Sequence, residues 1–278
     1  MLSHKTSPTL QTPHLATVAH QCRHAVLEML TKVNSSHIGS CFSIIDILTV
    51  LYHSVVDTEK IRTQQRDRDY IILSKGHAAS ALYAVLASAK IMPETLLENY
   101  NMGPLGGHPT RNSSLGIETS TGSLGQGLPV GVGIAWATKQ DHLSTHVYVL
   151  VGDGECQEGA IWEAIMMASR LALSNLTVIV DYNKIQSLTY TDSLMPATWL
   201  NMFSAAGCTV KHVDGHDHNA LADVFNRNTQ TTAPTVIIAH TIKGKGVDFM
   251  ENKIEWHYKS CNAEQFEVAK SYLDKDLT

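Results

Sequence analysis

The sequence predicts an α/β fold: a doubly wound, mostly parallel sheet with helices on both faces. Two apolar runs of strand length, residues 147–151 and 176–180, are rich in valine and other β-branched residues. Between them, apolar side chains recur with helical spacing from Ile161 to Leu171. This order is typical of two parallel strands that are buried on both faces. The same alternation along the rest of the chain indicates a single domain over residues 15–278.

The other elements are predicted from periodicity and from residues that begin or end helices. Ser43 is expected to cap a helix that runs to Leu51, and Gly207 to end one that begins near Thr198. The charged stretch 57–69 is expected to be a surface loop. Further helices are predicted at 15–32, at 78–89, after Pro93, through 132–136, at 221–225 and at 263–273, and further strands at 70–73, 210–213 and 235–240.

The composition is that of an ordinary globular protein. Of 278 residues, 44% are hydrophobic and 17% charged, and the net charge is −5. Without a basic block or a long apolar run, neither nucleic acid nor a membrane is an expected partner. Residues 1–14 are expected to be a flexible polar tail that lacks the features of a secretory signal. The five cysteines form no C-x-x-C pair, which favours reduced thiols and a cytoplasmic location.

Polar residues follow both of the predicted strands, 147–151 and 176–180. A Gly-Asp-Gly-Glu turn at 152–155 follows the first strand, and Asp181 and Asn183 close the second. Open parallel sheets bind their ligands at these carboxyl ends. The carboxylate of Asp153 and the amide oxygen of Asn183 suit Mg²⁺, whose coordination shell phosphate and water complete. The sequence therefore predicts a metal ion that holds a diphosphate.

A second glycine-rich stretch, residues 101–131, is predicted to be a loop whose backbone approaches a ligand closely. Its last part contains Gly122, Ser123 and Leu124 and opens a helical run. A glycine loop before a helix offers free backbone amides to an anion. A flexible glycine linker is the alternative interpretation of this pattern.

Four of the fifteen histidines lie in glycine-flanked loops: His37, His77, His108 and His257. Histidine titrates near neutral pH and can transfer protons to and from sugar hydroxyls. A structural or solvated role is the alternative for each of them taken singly.

Together these motifs resemble those of transketolases. Gly152-Asp153-Gly154, followed after the next strand by Asn183, is similar to the thiamine diphosphate signature. The runs Gln157-Glu158-Gly159, Trp162-Glu163-Ala164 and Asp181-Tyr182-Asn183 resemble its transketolase version. The resemblance spans about residues 20–257. One departure is Ile38 after His37, where many full-length transketolases have proline; the form with Ile is known in split transketolases.

The resemblance implies specific roles. His37 and His108 would contact the oxygens of the donor sugar, and all four loop histidines would be catalytic. Mg²⁺, or another divalent cation such as Ca²⁺, would be bound by Asp153, Asn183 and the backbone carbonyl of Ile185. Thiamine diphosphate would contact His77, Gly122, Ser123, Leu124, Gly152, Asp153, Gly154, Glu155, Asn183 and His257.

In transketolases a glutamate on a second domain contacts the aminopyrimidine of the cofactor. Glu158 and Glu163 match other positions, near the domain interface. The resemblance therefore implies the N-terminal, diphosphate-binding subunit of a split transketolase. This subunit would transfer a two-carbon ketol unit from a ketose to an aldehyde only with a separate C-terminal, pyrimidine-domain subunit, in a heterotetramer. Residues 126–136 and 158–171 are the expected interface.

Other interpretations remain open. The chain could be half of a specialised ketol or acyl transferase, in secondary metabolism or unusual sugar catabolism, or a non-catalytic cofactor-binding regulatory paralogue. The run Lys243-Gly244-Lys245-Gly246 resembles deoxyxylulose-phosphate synthases, which have a much longer chain. A nicotinamide-binding fold is disfavoured, because Gly131-x-Gly133 lacks the preceding strand and the acidic ribose ligand.

Overall fold

Five strands form one sheet in a computed structural model that describes residues 12–196, 198–226 and 232–275. The strands are β1 (Tyr70–Leu73), β2 (Val147–Gly152), β3 (Leu176–Tyr182), β4 (Thr209–Asp214) and β5 (Thr235–His240). They lie in the order β1-β2-β3-β5-β4, and every neighbouring pair is parallel. The predicted parallel α/β sheet is confirmed.

Helices precede, separate and follow the strands. They are α1 (Thr12–Lys32), α2 (Ile38–Phe42), α3 (Ile45–Val50), α4 (Thr58–Arg62), α5 (Ala79–Ser88), α6 (Gly127–Gln140), α7 (Gly159–Arg170), α8 (Asn201–Ala205), α9 (His218–Asn226) and α10 (Ala263–Lys275). Within the described ranges, none of them combines the length and the apolar character needed to cross a membrane.

Two apolar cores lie on the two faces of the sheet, because successive side chains of a strand point to opposite faces. In β2, Val149 and Val151 pack in the core that α6 and α7 cover. Tyr148 and Leu150 face the other core, which α1, α3, α5 and α9 cover. The central strands are apolar on both sides for this reason.

Local predictions failed where a distant partner decided the structure. Ser43 does not cap a helix: its hydroxyl donates to Asp181 (2.7 Å), and α3 begins at Ile45 without a side-chain cap. The predicted surface loop 57–69 contains α4, because Asp57 accepts hydrogen bonds from the backbone amides of Glu59 and Lys60 at 3.1 and 3.3 Å.

The predicted tail 1–14 falls mostly outside the described residues. Helix α1 already begins at Thr12, so the last three residues of that tail are helical. The other helices and strands are found near their predicted positions. Helix α6 begins at Gly127, five residues before its predicted run, and the helix after Pro93 is a 3-10 helix at Glu94–Asn99.

Candidate active site

The carboxyl ends of β1, β2, β3 and β5 border a cavity of about 270 Å³. The predicted residues that line it are His37, His77, His108, Gly122, Leu124, Gly152, Asp153, Gly154, Glu155, Asn183, Ile185 and His257. Ser123 does not line the cavity, and it is exposed. Residues from several separate stretches of sequence therefore meet at one edge of the sheet.

The predicted metal ligands lie side by side. Gly152 of β2 pairs with Asp181 of β3, so Asp153 and Asn183 leave the sheet next to each other. The carboxylate of Asp153 accepts hydrogen bonds from the backbone amides of Gly154 (2.7 Å) and Lys184 (2.6 Å). Asn183 Oδ1 accepts one from the amide of Ile185 (3.0 Å). These bonds fix both oxygen-bearing groups at the cavity.

Asp181 is the fully buried centre beneath these ligands. Its carboxylate accepts hydrogen bonds from four side chains: Lys75 Nζ, Thr241 Oγ1, Ser43 Oγ and Asn183 Nδ2. Burial alone would raise the pKa of Asp181, but the ammonium of Lys75 and these hydrogen bonds hold that pKa below its ordinary value. Because Nδ2 of Asn183 donates a hydrogen bond to Asp181, this bond fixes the orientation of the Asn183 carboxamide.

Two lysines and Asp153 line the cavity above the buried carboxylate of Asp181. Lys243 Nζ donates to Ser40 Oγ (2.9 Å) and lies 3.4 Å from the carbonyl oxygen of Ile185. Burial and the nearby charge of Lys75 lower the pKa of Lys243 to about 7. Burial and the nearby charge of Asp181 raise the pKa of Asp153 to about 7. Both shifts have the same physical origin, because a charged group removed from water favours its neutral form.

Glu155 links three segments around the cavity, those that contain Ser74, Gly125 and Gly152. One of its carboxylate oxygens accepts hydrogen bonds from Ser74 Oγ (2.6 Å) and from the amide of Gly125 (2.9 Å). The other oxygen accepts one from the amide of Gly152 (3.0 Å). Gly125 has a left-handed φ of 80°, and a Cβ there would lie 2.7 Å from Cβ of Glu158. Only glycine allows this turn of the loop.

Three of the predicted histidines form a cluster. The ring centroids of His37 and His77 are 5.1 Å apart, those of His37 and His257 are 5.2 Å apart, and those of His77 and His257 are 5.6 Å apart. Burial, reinforced by Lys243, lowers the pKa of His37 to about 4 and that of His257 to about 2. Burial and Lys75 also lower the pKa of His77. All three rings are therefore neutral at pH 7.

Several lining residues were missed by sequence reasoning. They are Ser40, Lys75, Gln186, Ser187, Lys243 and Tyr258. A usable signal was present for the two lysines, because each follows a strand at its carboxyl end, Lys75 after β1 and Lys243 after β5. Tyr258 packs beside the ring of His257 at a centroid distance of 4.7 Å, and adjacency to a predicted histidine was its only signal.

The cavity suits a polar ligand with a bound cation. Three buried polar atoms of lining residues have no hydrogen-bond partner among the described residues: His37 Nδ1, His257 Nδ1 and Gln186 Nε2. The carboxylate of Asp153, the carboxamide of Asn183 and the carbonyl of Ile185 form an all-oxygen donor set, which is the kind that Mg²⁺ prefers. The residues present therefore fit a metal ion and a diphosphate.

The chain is similar to known proteins over nearly all of its length. Residues 15–276 match the family model "Transketolase, thiamine diphosphate binding domain". The chain is 36% identical over 262 residues to the 6-deoxy-6-sulfo-D-fructose transketolase subunit of Clostridium sp. (strain MSTE9), covering 93% of this chain and 95% of that protein. It is 38% identical over 240 residues to an apulose-4-phosphate transketolase subunit of Actinobacillus succinogenes, covering 85% of this chain and 87% of that protein.

Solved structures show the same fold. The transketolase of Campylobacter jejuni matches with a TM-score of 0.86 and 29% sequence identity, over 95% of this chain and 43% of that chain. The present chain therefore spans less than half of that solved transketolase. The family match, the two relatives of similar length and the shared fold agree. This chain belongs to the transketolase family of transferases and comprises its thiamine diphosphate-binding domain.

Proposed function

We propose that this chain, through a single domain at residues 15–278, is the N-terminal, thiamine diphosphate-binding subunit of a two-subunit transketolase. With a separate pyrimidine-domain subunit it transfers a two-carbon ketol unit from a ketose donor to an aldehyde acceptor. The observation that carries the proposal is the cavity at the sheet edge, where oxygen ligands and a histidine cluster meet. When bound, thiamine diphosphate supplies the nucleophilic carbon and the electron sink for this transfer.

The residues of this chain hold and orient the cofactor. Asp153, Asn183 and the carbonyl of Ile185 bind Mg²⁺ or another divalent cation such as Ca²⁺, and through it the diphosphate. The backbone of the loop at Gly122 and Leu124 contacts the cofactor directly. The amides of Gly152 and Gly154 already donate to Glu155 and Asp153, so this turn lets the diphosphate approach closely without donating to it. Glu155 acts indirectly, since its carboxylate already accepts hydrogen bonds from Ser74, Gly125 and Gly152.

The histidines bind the oxygens of the sugar and the cofactor. A neutral imidazole has one donor and one acceptor nitrogen, so His37, His77 and His257 can each donate a hydrogen bond to one oxygen and accept one from a hydroxyl. His108 lines the same cavity, and the backbone carbonyl of His108 accepts a hydrogen bond from the Tyr83 hydroxyl at 3.2 Å. That bond helps to fix the loop from which His108 contacts the oxygens of the donor.

Exposed apolar side chains support a partner subunit. On α6 and α7, which pack against each other, Val130, Trp136, Met166 and Met167 are 42–58% exposed. These residues lie in the predicted interface segments 126–136 and 158–171. Aromatic and methionine side chains are enriched in protein–protein interfaces. The partner covers this surface, and two such pairs associate in a heterotetramer.

The names of the relatives indicate the class of donor sugar, and the free cysteines indicate the cellular compartment. The two similar subunits are named for 6-deoxy-6-sulfo-D-fructose and apulose-4-phosphate, so unusual sugars belong among the donors of this chain. All five cysteines are free and buried, which is typical of a reducing compartment and supports a cytoplasmic location.

The cofactor site is tested by calorimetric titration of thiamine diphosphate and Mg²⁺ into the chain together with its partner. Asp153→Ala is expected to abolish Mg²⁺-dependent binding of the cofactor, because it removes the only carboxylate among the three metal ligands. The control is Asp248→Ala, an exposed aspartate that does not line the cavity. Equal cofactor affinity of Asp153→Ala and the unsubstituted chain would refute the site.

The reaction is tested by co-purification of the partner, followed by a screen of ketose donors against aldehyde acceptors. The pair is expected to transfer the ketol unit, and the chain alone is expected to be inactive. Turnover by the purified chain without a partner would contradict the two-subunit proposal. Tight binding of the cofactor by the pair without transfer from any ketose would favour the regulatory paralogue.

A further inference from the structure

A second group of potential metal ligands lies outside the cavity, between the first and last helices. His20 and His24 are one turn apart on α1, and Asp274 lies in the last turn of α10. One ligand atom from each of the three side chains lies within 4.8 Å of the other two. Among the described residues this is the one group of three histidine, cysteine or carboxylate side chains that is so close.

The side chains are already arranged as ligands. The rings of His20 and His24 are 4.6 Å apart between centroids, as expected for side chains at positions i and i+4 of a helix. Asp274 Oδ1 lies 3.2 Å from His24 Nε2. That contact lacks hydrogen-bond geometry, and Nε2 of His24 is buried without a hydrogen-bond partner among the described residues. A group that is desolvated but not bonded is costly unless something binds it.

The surrounding charges permit a cation. Arg23 of the same helix is paired in two hydrogen bonds (3.2 and 2.5 Å) with the buried carboxylate of Asp46. Its positive charge is thereby compensated by a carboxylate other than that of Asp274. The carboxylate of Asp274 is 59% exposed, so its rotamer can adjust to a bound ion.

We propose that His20, His24 and Asp274 bind a divalent transition metal ion of the Zn²⁺ type. Two imidazoles and one carboxylate suit Zn²⁺, Co²⁺ or Ni²⁺, whereas Mg²⁺ prefers an all-oxygen shell. Ligand atoms in a tetrahedral zinc site are about 2.0–2.2 Å from the ion and so about 3.4 Å from one another. Small side-chain rotations bring the three atoms from within 4.8 Å to that spacing, and water supplies the fourth ligand.

The ion joins the end of α10 to α1. Helix α10 packs against α1, and its buried residues Ala269 and Leu273 belong to the same core as α1. Asp274 directly follows Leu273, so a metal bond at this position fixes the last turn of α10 where the apolar contacts end. Because the folded chain binds the ion and the unfolded chain lacks the site, zinc raises the unfolding temperature by mass action.

The test is titration of the full-length chain with Zn²⁺ in excess Mg²⁺, read by competition with a chromophoric chelator and by the thermal unfolding midpoint. The unsubstituted chain is expected to bind one Zn²⁺ and to unfold at a higher temperature with it. His24→Ala and Asp274→Asn are expected to weaken binding by at least about tenfold and to remove the thermal shift. Asp274→Asn replaces an exposed side chain with one of equal size, so it retains the fold.

The matched control is His212→Ala. His212 is also an exposed histidine beside a second one, because its ring stacks on His240 at 5.3 Å. The Zn²⁺ affinity of this variant is expected to equal that of the unsubstituted chain. The proposal is overturned if the unsubstituted chain shows no Zn²⁺ site. It is also overturned if Asp274→Asn and His24→Ala bind Zn²⁺ as tightly as the unsubstituted chain, or if His212→Ala loses the site.

Discussion

Removing the negative charge of Asp181, at the end of β3 beneath the cavity, is expected to lower the free energy of unfolding of the protein. Asp181 is fully buried, and its four hydrogen-bond donors come from four different stretches of the chain. Asp181→Asn preserves the size of the side chain but replaces an acceptor oxygen with an NH₂ group that faces donors. The ammonium of Lys75, which is 1% exposed, then faces a neutral carboxamide instead of a carboxylate, and its other contact is the carbonyl of Ser40 at 3.4 Å.

The expected loss is about 3–5 kcal/mol of unfolding free energy, because removing one partner of a buried pair leaves the other charge desolvated. Lys243 is a second lysine that lines the cavity, and burial and the nearby charge of Lys75 already lower its pKa. The loss of Asp181 therefore leaves two lysines with one remaining aspartate, Asp153. This arrangement moves the expected loss toward the upper end of the range.

The assay is urea unfolding followed by circular dichroism, with Asp67→Asn as the control. Asp67 forms a similarly short ion pair with Lys60 (2.5 Å), but the two side chains are 39% and 32% exposed. Solvent screens such a pair, so its loss is expected to cost less than about 1 kcal/mol. Adding Lys75→Met to Asp181→Asn should restore part of the loss, since no unpaired ammonium remains. A change below about 1 kcal/mol for Asp181→Asn would refute the reasoning.

Two further predictions concern the pH dependence of stability and helix packing. Burial raises the pKa of Asp69 from 3.8 to about 6, although it accepts a hydrogen bond from the amide of His146 (2.8 Å). Its contribution to stability is therefore complete below about pH 4 and is lost as pH rises through about 6. Asp69→Asn should raise the unfolding free energy at pH 7 by up to about 3 kcal/mol, and not at pH 4. Identical urea midpoints of the two proteins at pH 7 would contradict this. A Cβ at Gly131 would lie 2.4 Å from Val149 Cγ2, whereas one at Gly133 meets nothing within 4 Å. Gly131→Ala should cost about 1–3 kcal/mol and Gly133→Ala should add about 0.5–1 kcal/mol. Equal thermal midpoints for these two variants would rule out the close approach of α6 to β2.

Much of the site was predictable because it follows a rule of parallel sheets. Asp153 and Asn183 each follow a buried strand, and parallel strands bring their carboxyl ends to one edge. The same rule, applied to β1 and β5, would have added Lys75 and Lys243 to the predicted site residues. The four histidines required the resemblance to transketolases, because nothing in their spacing brings residues 37, 77, 108 and 257 together.

The charge network was not predictable from local patterns. The local sequence predicts that Ser43 caps a helix. Its hydroxyl instead donates a hydrogen bond to Asp181, which is far away in the sequence. The local sequence predicts that Glu155 belongs to a diphosphate-binding turn. Its carboxylate instead accepts hydrogen bonds from Ser74, Gly125 and Gly152 and so links three segments. In both residues the short-range preference was outweighed by buried polar partners from distant segments, since an unpaired buried polar group is costly.

The sequence by itself determined the order of strands and helices, the parallel sheet and the Gly-Asp-Gly turn at 152–154, because these depend on side-chain periodicity and on residues close together in the chain. Only the tertiary structure decided which side chains share the floor of the cavity, what their pKa values become and which two helices bring His20, His24 and Asp274 together. Those properties depend on burial and on charges contributed by distant segments, and neither exists until the chain has folded.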